Sequence, residues 1–497
     1  MIPQVIDTLV IGAGPAGLTT AYKLAQREHD VTVLEADPVY VGGISRTETY
    51  KGYHFDIGGH RFYSKSQEIV DLWNEILPDD FVERPRLSRI FYNGKFYSYP
   101  LNAIEAFRNL GLMETTACVA SFIWARMRPI PEPRTFHEWV RNNFGERLFS
   151  IFFKTYTEKV WGMSCDEISA DWAAQRIKGL DLRAAIADAV RRTLGLGGKG
   201  GQAKTLIQSF RYPRRGPGMM WEAAARKIRG YGGRIEMDRR VTGLSWNEGS
   251  RIWTIEATSA SGEKHVYSAR NVVSSAPLRD LVKGLKPTAL SYFHAGQLRY
   301  RDFLTVILIG KSAKPFDDNW VYIHDPSVMV GRVQNLRSWS PEMLPDPHST
   351  CLELEYFCFE GDGLWTATND ELIARAKEEI ARIGLMRAED VTDATVVRQE
   401  KAYPIYDDTY ADNVEVVRRE LESRFPTLHL VGRNGMHKYN NQDHAMMTGI
   451  LTAENIIAGS RCFDVWGVNE DAEYGEANGS AGRDALESLR LTPRRVA

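Results

Sequence analysis

With 497 residues, 43% of them hydrophobic and 25% charged, the chain can bury a large core over two or three subdomains, a composition that excludes a disordered or fibrous protein. A formal net charge of -2 excludes a whole-molecule attraction to nucleic acid, so an anionic ligand must be held by local arginines. The five cysteines (Cys118, Cys165, Cys351, Cys358 and Cys462) are odd in number and form no CxxC pair, which excludes a disulfide framework and a zinc site; no metal and a reducing, cytoplasmic setting are expected.

The opening MIPQVIDTLVIGAG has no basic n-region and no cleavage site, and no uncharged run reaches spanning length, so neither a signal peptide nor an integral membrane contact is expected. A strand over Asp7 to Ile11, a glycine turn, a helix to about Arg27 and a strand over Val31 to Leu34 form a βαβ start. Short strands follow, as in Arg89 to Tyr99. From Leu101 to Arg192 the period turns helical, with long segments such as Thr135 to Val160 and Leu182 to Leu194. The glycine- and lysine-rich stretch Gly195 to Lys204 reads as a flexible loop. Strands are expected at Gly233 to Met237, Trp253 to Ala257 and Asn271 to Ser274, returning to the first domain. A largely antiparallel second sheet follows at Leu304 to Ile309, Trp320 to Ile323, Met329 to Leu336 and Thr350 to Phe359. The polar, weakly periodic end reads as a disordered tail.

Gly12-Ala13-Gly14-Pro15-Ala16-Gly17 falls between the first strand and helix, and Glu35 closes the second strand. Its glycines suit a tight turn, backbone approach to a pyrophosphate and close helix packing; the helix N-terminus favours the phosphate charge, and Glu35 would accept from a ribose hydroxyl. The motif therefore predicts a dinucleotide site. Gly42-Gly43-Ile44-Ser45-Arg46 extends it along the pyrophosphate, as in flavoproteins, which makes FAD the expected cofactor. In Gly58-Gly59-His60 two glycines let the backbone pass close to a flat ligand and leave the imidazole free to act beside it, although a lone histidine is more often structural.

Further segments carry a resemblance: LSRIFYNGKFYSYPLNAI from Leu87, KVWGMSCDEISADWAAQRI from Lys159, FRYPRRGPGMMW from Phe210, NWVYIHDPSVMVGRVQNLRSWSP from Asn319, AYPIY from Ala402 and GRNGMHKYNNQDHAMMTG from Gly432. To about Ile457 the sequence resembles the UDP-galactopyranose mutases, flavoenzymes related to the amine oxidases and protoporphyrinogen oxidases. The resemblance implies an α/β fold with a discontinuous Rossmann-type FAD domain (1–88, 205–280, 425–460), a helical subdomain (101–204), a mixed, largely antiparallel β-sheet substrate domain (89–100, 281–424) and a tail (461–497). It implies a mutase of the isomerase class. In that chemistry N5 of reduced FAD attacks the anomeric carbon of a nucleotide-diphosphate hexose and pyranose and furanose forms interconvert without net redox change.

By position, the resemblance places His60 and Arg433 against the flavin, Arg176 and Arg332 on the substrate diphosphate, and Tyr403 and Tyr439 as donors to it. Guanidinium forks suit phosphate oxygens and a departing diphosphate. Tyr63, Tyr99, Asn102, Trp161 and Tyr322 would line the nucleotide pocket, and Arg86 and Ser88 would meet NADPH, with NADPH or NADH as reductant. Val241, Gly432, Asn441, Gln442, Asp443 and Met446 would contact the cofactor, the last helix opening beside it. Asn102 stands where the family carries a longer amide, the stretch from Tyr439 to Asn441 is about two residues short, and Arg61 adds a charge beside His60 that faces either a substrate acid or a surface carboxylate. These departures point to a related nucleotide sugar.

Two other classes stay open. An FAD-dependent oxidoreductase of the amine oxidase, protoporphyrinogen oxidase or desaturase type would want an apolar tunnel and have little use for the arginine pair. A non-catalytic module would use Ser121 to Pro131, SFIWARMRPIP, as a docking or membrane-surface face. The loop Gly195 to Lys204 is expected to order over a bound nucleotide sugar; its protection from protease in the presence of such a sugar is the check.

Overall fold

The computed structural model describes residues 5–99, 101–170, 209–311 and 316–469. The expected helix Leu182 to Leu194, Arg176 and the loop Gly195 to Lys204 lie outside the described residues.

Strand β1 (Val5–Ile11) runs into α1 (Pro15–Ala25), which has proline in its first turn, where no intrahelical partner for an N–H is needed; β2 (Val31–Leu34) follows. A small hairpin, β3 (Thr47–Tyr50) and β4 (Tyr53–Asp56), precedes helix α2 (Gln67–Ile76). Next come β5 (Phe81–Pro85), β6 (Ser88–Tyr92) and β7 (Lys95–Ser98). The helical stretch holds α3 (Ala103–Leu110), α4 (Leu112–Met127), α5 (Phe136–Phe144), α6 (Glu146–Phe149), a π turn over Ser150–Lys154 and α7 (Thr155–Trp161). The single periodic run expected over Thr135 to Val160 is thus broken. At the break Gly145 has φ +82°, and a Cβ there would lie 2.7 Å from the Phe122 backbone nitrogen, so α4 crosses where only glycine fits.

After β8 (Ser209–Pro213) and a helix over Gly218–Gly230, β9 (Arg234–Glu236), β10 (Arg240–Asn247), β11 (Ile252–Thr258), β12 (Lys264–Ser274) and β13 (Leu285–Lys286) follow. The later strands are β14 (Tyr300–Gly310), β15 (Trp320–Ile323), β16 (Arg332–Asn335), β17 (Thr350–Cys358), β18 (Val391–Pro404) and β19 (Leu428–Leu430). One sheet has the order β13-β10-β11-β12-β1-β2-β9, with β19 on β12; the strands β12, β1, β2 and the edge strand β9 are parallel to one another. The other has the order β18-β14-β17-β16-β15-β6-β7 and is antiparallel except for β15 on β6.

Two expected boundaries change. Only Arg332–Asn335 of the stretch Met329 to Leu336 is strand. Of the tail expected over 461–497, residues 461–469 are packed against the core and the rest lies outside the described residues. Asn455 exchanges hydrogen bonds with the Phe463 backbone (2.8 and 2.9 Å), and Trp466 and Val468 are buried, because apolar side chains spaced among the polar ones reach the core. Strand β18 escapes a reading by alternation because its residues are mostly half-buried on both faces, yet it pairs with β14 along nearly its whole length. Among the described residues no helix is long and apolar enough to cross a membrane.

The terminal helix Gln442–Ala458 packs on α1 around Leu18, Tyr22, Trp73, Met446 and Ile450. At Gly449 a Cβ would lie 2.6 Å from the Ala16 carbonyl oxygen, so the middle of the terminal helix crosses the start of α1 at backbone distance. Strand β4 ends at Asp56, which is buried and accepts from the hydroxyls of Tyr212 and, at 3.4 Å, Thr47. Burial raises the Asp56 carboxyl to about 8 despite these donors. The folded pKa exceeds the unfolded one, so Asp56 stabilises the fold fully below its ordinary value of 3.8 and loses that contribution as pH rises toward 8. Thermal unfolding followed against pH should show Asp56→Asn removing a destabilising slope of up to about 1.4 kcal/mol per pH unit between those limits.

Candidate functional site

The phosphate end is built from backbone. Gly12 has φ +96°, and a Cβ on Gly17 would fall 2.0 Å from the Gly12 carbonyl oxygen, so α1 starts directly against the turn. The second glycine pair touches the first: Gly42 N–H donates to the Ala13 carbonyl (2.7 Å), and a Cβ on Gly43 would lie 3.2 Å from Gly14 Cα. A Cβ on Gly14 would meet no heavy atom nearer than 3.8 Å, which leaves a groove floored by glycine backbone at the α1 N-terminus beside Pro15 and Ala16. Glu35, nearly buried, accepts from Ala13 N–H (2.6 Å) and Asp37 N–H (2.9 Å), and burial raises its pKa. Arg239 N–H reaches the Glu35 carbonyl (2.7 Å), bringing the β10 bulge at Val241 to the same edge. Arg46 braces the loop, donating to Glu48 (2.9 Å), the Gly43 carbonyl (3.2 Å) and Gln399 (2.6 Å).

Farther along, His60 Nε2–H donates to the Ile57 carbonyl (3.0 Å) and Nδ1 lies 3.5 Å from the Ser45 hydroxyl. Burial, with the Arg433 and Arg332 guanidiniums adding to it, pushes this imidazole down to about 3, so it is neutral. Two glycines set its place. Gly58, at φ +79°, donates to Glu353 (3.0 Å), and a Cβ on Gly59 would lie 2.5 Å from the Trp320 ring. Gln442, at the start of the terminal helix, donates to the His60 carbonyl (3.4 Å). Its Oε1 is buried with no partner among the described residues. Asn441 caps this helix and Asp443 lies buried in its first turn. The Met446 side chain points instead into the core, accepting from Trp73 Nε1–H at 3.1 Å. A glycine-floored groove, two helix N-termini and an orphaned buried amide oxygen fit a bound FAD.

Two arginines and an aromatic cluster face this end. Arg332 is bonded to Glu355, its cross-strand neighbour on β17, and donates to the Tyr403 hydroxyl (3.2 Å). Burial, the largest single influence, opposes its charge, but Glu355 together with Tyr403 and Tyr156 raises it, so it is held as a cation. Arg433 donates to the carbonyls of Asn440 (2.9 Å) and Ala402 (3.1 Å), and its guanidinium lies 5.2 and 5.1 Å from the ring centres of Tyr403 and Tyr439, which stack at 5.6 Å. Trp161 closes the group, 6.4 Å from Tyr403 and 6.1 Å from Tyr439. In register across the sheet, Tyr322 is opposite Arg332 and stands 5.1 Å from Tyr99, over whose ring Arg86 lies at 5.2 Å. Ser88 is buried on β6 opposite Trp320. Burial also raises the Tyr63 hydroxyl, which faces the charges of Arg61 and Asp443.

Asn102 is exposed and accepts from Glu105 N–H (3.2 Å) at the start of α3. Sequence reasoning missed Glu353 and Glu355, although two acids two residues apart in an apolar strand were a visible signal. It also missed the role of Lys159, which donates to the carbonyls of Ile323 (3.2 Å), Asp325 (2.7 Å) and Val330 (3.2 Å), tying α7 and Trp161 to the β15–β16 turn. Desolvation lowers this lysine to about 8.

Comparison with known proteins agrees with this geometry. Over 464 residues the chain is 23% identical to protoporphyrinogen oxidase 2 of Arabidopsis thaliana, covering 86% of this chain and 89% of that protein. Over 175 residues it is 28% identical to a Klebsiella pneumoniae protein named "Probable UDP-galactopyranose mutase", covering 33% of this chain and 43% of that one. A crystal structure of reduced UDP-galactopyranose mutase superposes with a TM-score of 0.77 at 22% identity, covering 92% and 96% of the two chains. Putrescine oxidase bound to putrescine superposes with a TM-score of 0.61 at 16% identity, covering 92% and 99%. Residues 15–457 match the family described as "Flavin containing amine oxidoreductase". The chain belongs to that family and is an FAD-binding flavoenzyme with the fold shared by its oxidases and the UDP-galactopyranose mutases.

Proposed function

We propose that the protein is a nucleotide-sugar mutase of the UDP-galactopyranose mutase type, interconverting pyranose and furanose forms of a nucleotide-diphosphate hexose. The observation that carries this reading is the pair of cations, Arg332 and Arg433, converging with Tyr403 and Tyr439 beside His60. Such a group offers a diphosphate fixed charge and hydroxyl donors in a poorly hydrated place, where leaving-group charge is most strongly stabilised. Reduced FAD supplies a nucleophilic nitrogen when bound. Gly12, Gly14, Gly17, Glu35, Gly42, Gly43, Ser45, Gly432 and the start of the terminal helix would hold it. Tyr99 and Tyr322 offer ring faces to a nucleobase, and Trp161 closes the sugar end. The neutral His60 keeps a ring nitrogen at the cofactor face without adding charge, and its Nε2–H is anchored on Ile57. Arg176 joins the diphosphate clamp in this reading. NADPH or NADH, met at Arg86 and Ser88, is the proposed reductant.

The runner-up is an amine-oxidising flavoenzyme, favoured by the near-parallel Tyr403 and Tyr439 rings, 15° apart. Against it, a cationic amine there would meet two guanidiniums.

Under anaerobic conditions with FAD reduced by NADPH, a panel of UDP-, GDP- and dTDP-hexoses should include one that isomerises many times per reductant consumed and not at all with oxidised enzyme. No isomerisation of any sugar, with stoichiometric flavin reduction by an amine, would replace this reading by the oxidase. Arg332→Ala should lower kcat/KM for that sugar about 100-fold with FAD content unchanged. Because His60 is neutral down to about pH 3, its titration should put no acid limb in kcat from about pH 5 to about pH 9. His60 should instead destabilise the fold as pH falls below its ordinary 6.5, a loss that His60→Asn abolishes in unfolding scans.

A further inference from the structure

Helix α4 is amphipathic in the reverse sense. Leu112, Met113, Val119, Ile123, Trp124 and Met127 are all exposed, with Leu112 at 83%, Met113 at 88% and Met127 at 73%. At ~100° per residue these fall on one arc, with Thr116, Ala117 and Ala120 filling the gaps. The opposite side, which packs on α5 and α6, carries the buried Cys118 and Ala125. It also carries Glu114, the helix's one acid, whose carboxylate is held by Arg147 (2.8 Å). A helix on a solvated surface turns its large apolar residues inward; this one turns them out along its full length of about 24 Å.

The arc has basic residues at its C-terminal end. Arg126 and Arg128 are exposed at its C-terminal end, the Arg128 guanidinium lying 4.5 Å from the Trp124 ring centre, and Arg108 is exposed at the end of α3. Self-association does not suit this pattern. An antiparallel pairing of two copies would set Arg126 and Arg128 against the positive N-terminal end of the partner helix, whose Glu114 is already engaged, and a parallel pairing would bring four arginines together. An anionic surface compensates them, and a tryptophan–arginine pair beside Leu, Ile and Met is what the boundary between headgroups and acyl chains accommodates.

We propose that α4 is a docking face for an anionic lipid bilayer, lying flat with its apolar arc in the headgroup–acyl boundary and Arg126 and Arg128 on the lipid phosphates. The proposal stands independently of the reaction catalysed. The test floats the full-length FAD-loaded protein with phosphatidylcholine vesicles and with phosphatidylcholine–phosphatidylserine vesicles. The expected result is flotation with the phosphatidylserine mixture that high salt reverses. Combined Arg126→Glu and Arg128→Glu should weaken that binding by about tenfold or more. Combined Ile123→Ser and Trp124→Ser should abolish it, with FAD content unchanged as the check on folding. Failure to float with the anionic mixture overturns the proposal, as does flotation unaltered in the Ile123→Ser, Trp124→Ser protein. A dimer in sedimentation that Trp124→Ser dissociates, with no vesicle binding, assigns the face to a second copy instead.

Discussion

Two carboxyl groups on one buried strand organise the site. Glu353 and Glu355 are fully buried on the same side of β17. Glu353 takes the Gly58 N–H and so fixes the loop that carries His60; Glu355 takes Arg332 and, through it, the Tyr403 hydroxyl. Burying a carboxyl group is unfavourable unless it is neutralised or paired, and the two resolve this differently. Burial, reinforced by the neighbouring carboxyl groups of Glu355 and Asp56, raises Glu353 well above the ordinary carboxyl range. Glu355 is matched by a guanidinium and by the Gln334 amide (2.7 Å). One strand thereby fixes both the neutral imidazole and the cation.

The other face of β17 explains how the strand tolerates this. Leu352, Leu354, Tyr356 and Cys358 pack into an apolar core with the helix over Asn369–Ile383. The strand is held from behind by hydrophobic burial and from both sides by β14 and β16, so its polar face cannot relax toward water. That placement suits the preorganised diphosphate clamp of the proposed mutase: the donors need not reorganise as charge develops. Lys159 adds a cross-brace between α7 and the β15–β16 turn, keeping Trp161 in line with Arg332.

Cofactor end and substrate end differ in what their residues do. The groove at Gly12 to Gly17 and Gly42 to Gly43 is backbone chemistry: at Gly12, Gly17 and Gly42 a Cβ would collide with atoms packed against the turn. The opposing end is side-chain chemistry, assembled from β16, β17, β18, α7 and the turn before the terminal helix.

The glycine turn, its strand and helix, and Glu35 were determined by the sequence alone, because backbone approach and local periodicity leave their mark within about thirty residues. Arg332, Arg433, Tyr403 and Tyr439 were named from motifs in the chain, but the placing of Arg332 is a property of the second sheet's register, in which Tyr322, Arg332 and Glu355 form one row across three strands, and Arg433 and Tyr439 reach Tyr403 from the turn before the terminal helix. Only the tertiary structure assigned Glu355 as the partner of Arg332, turned Met446 into the core, set Asn102 on an exposed helix cap and broke the helical run at Gly145. In each case the deciding contact joins residues distant in sequence, and a side chain's type does not say which remote neighbour it will meet: the charge of Arg332 was legible, its pairing was not, because pairing is settled by strand register and burial.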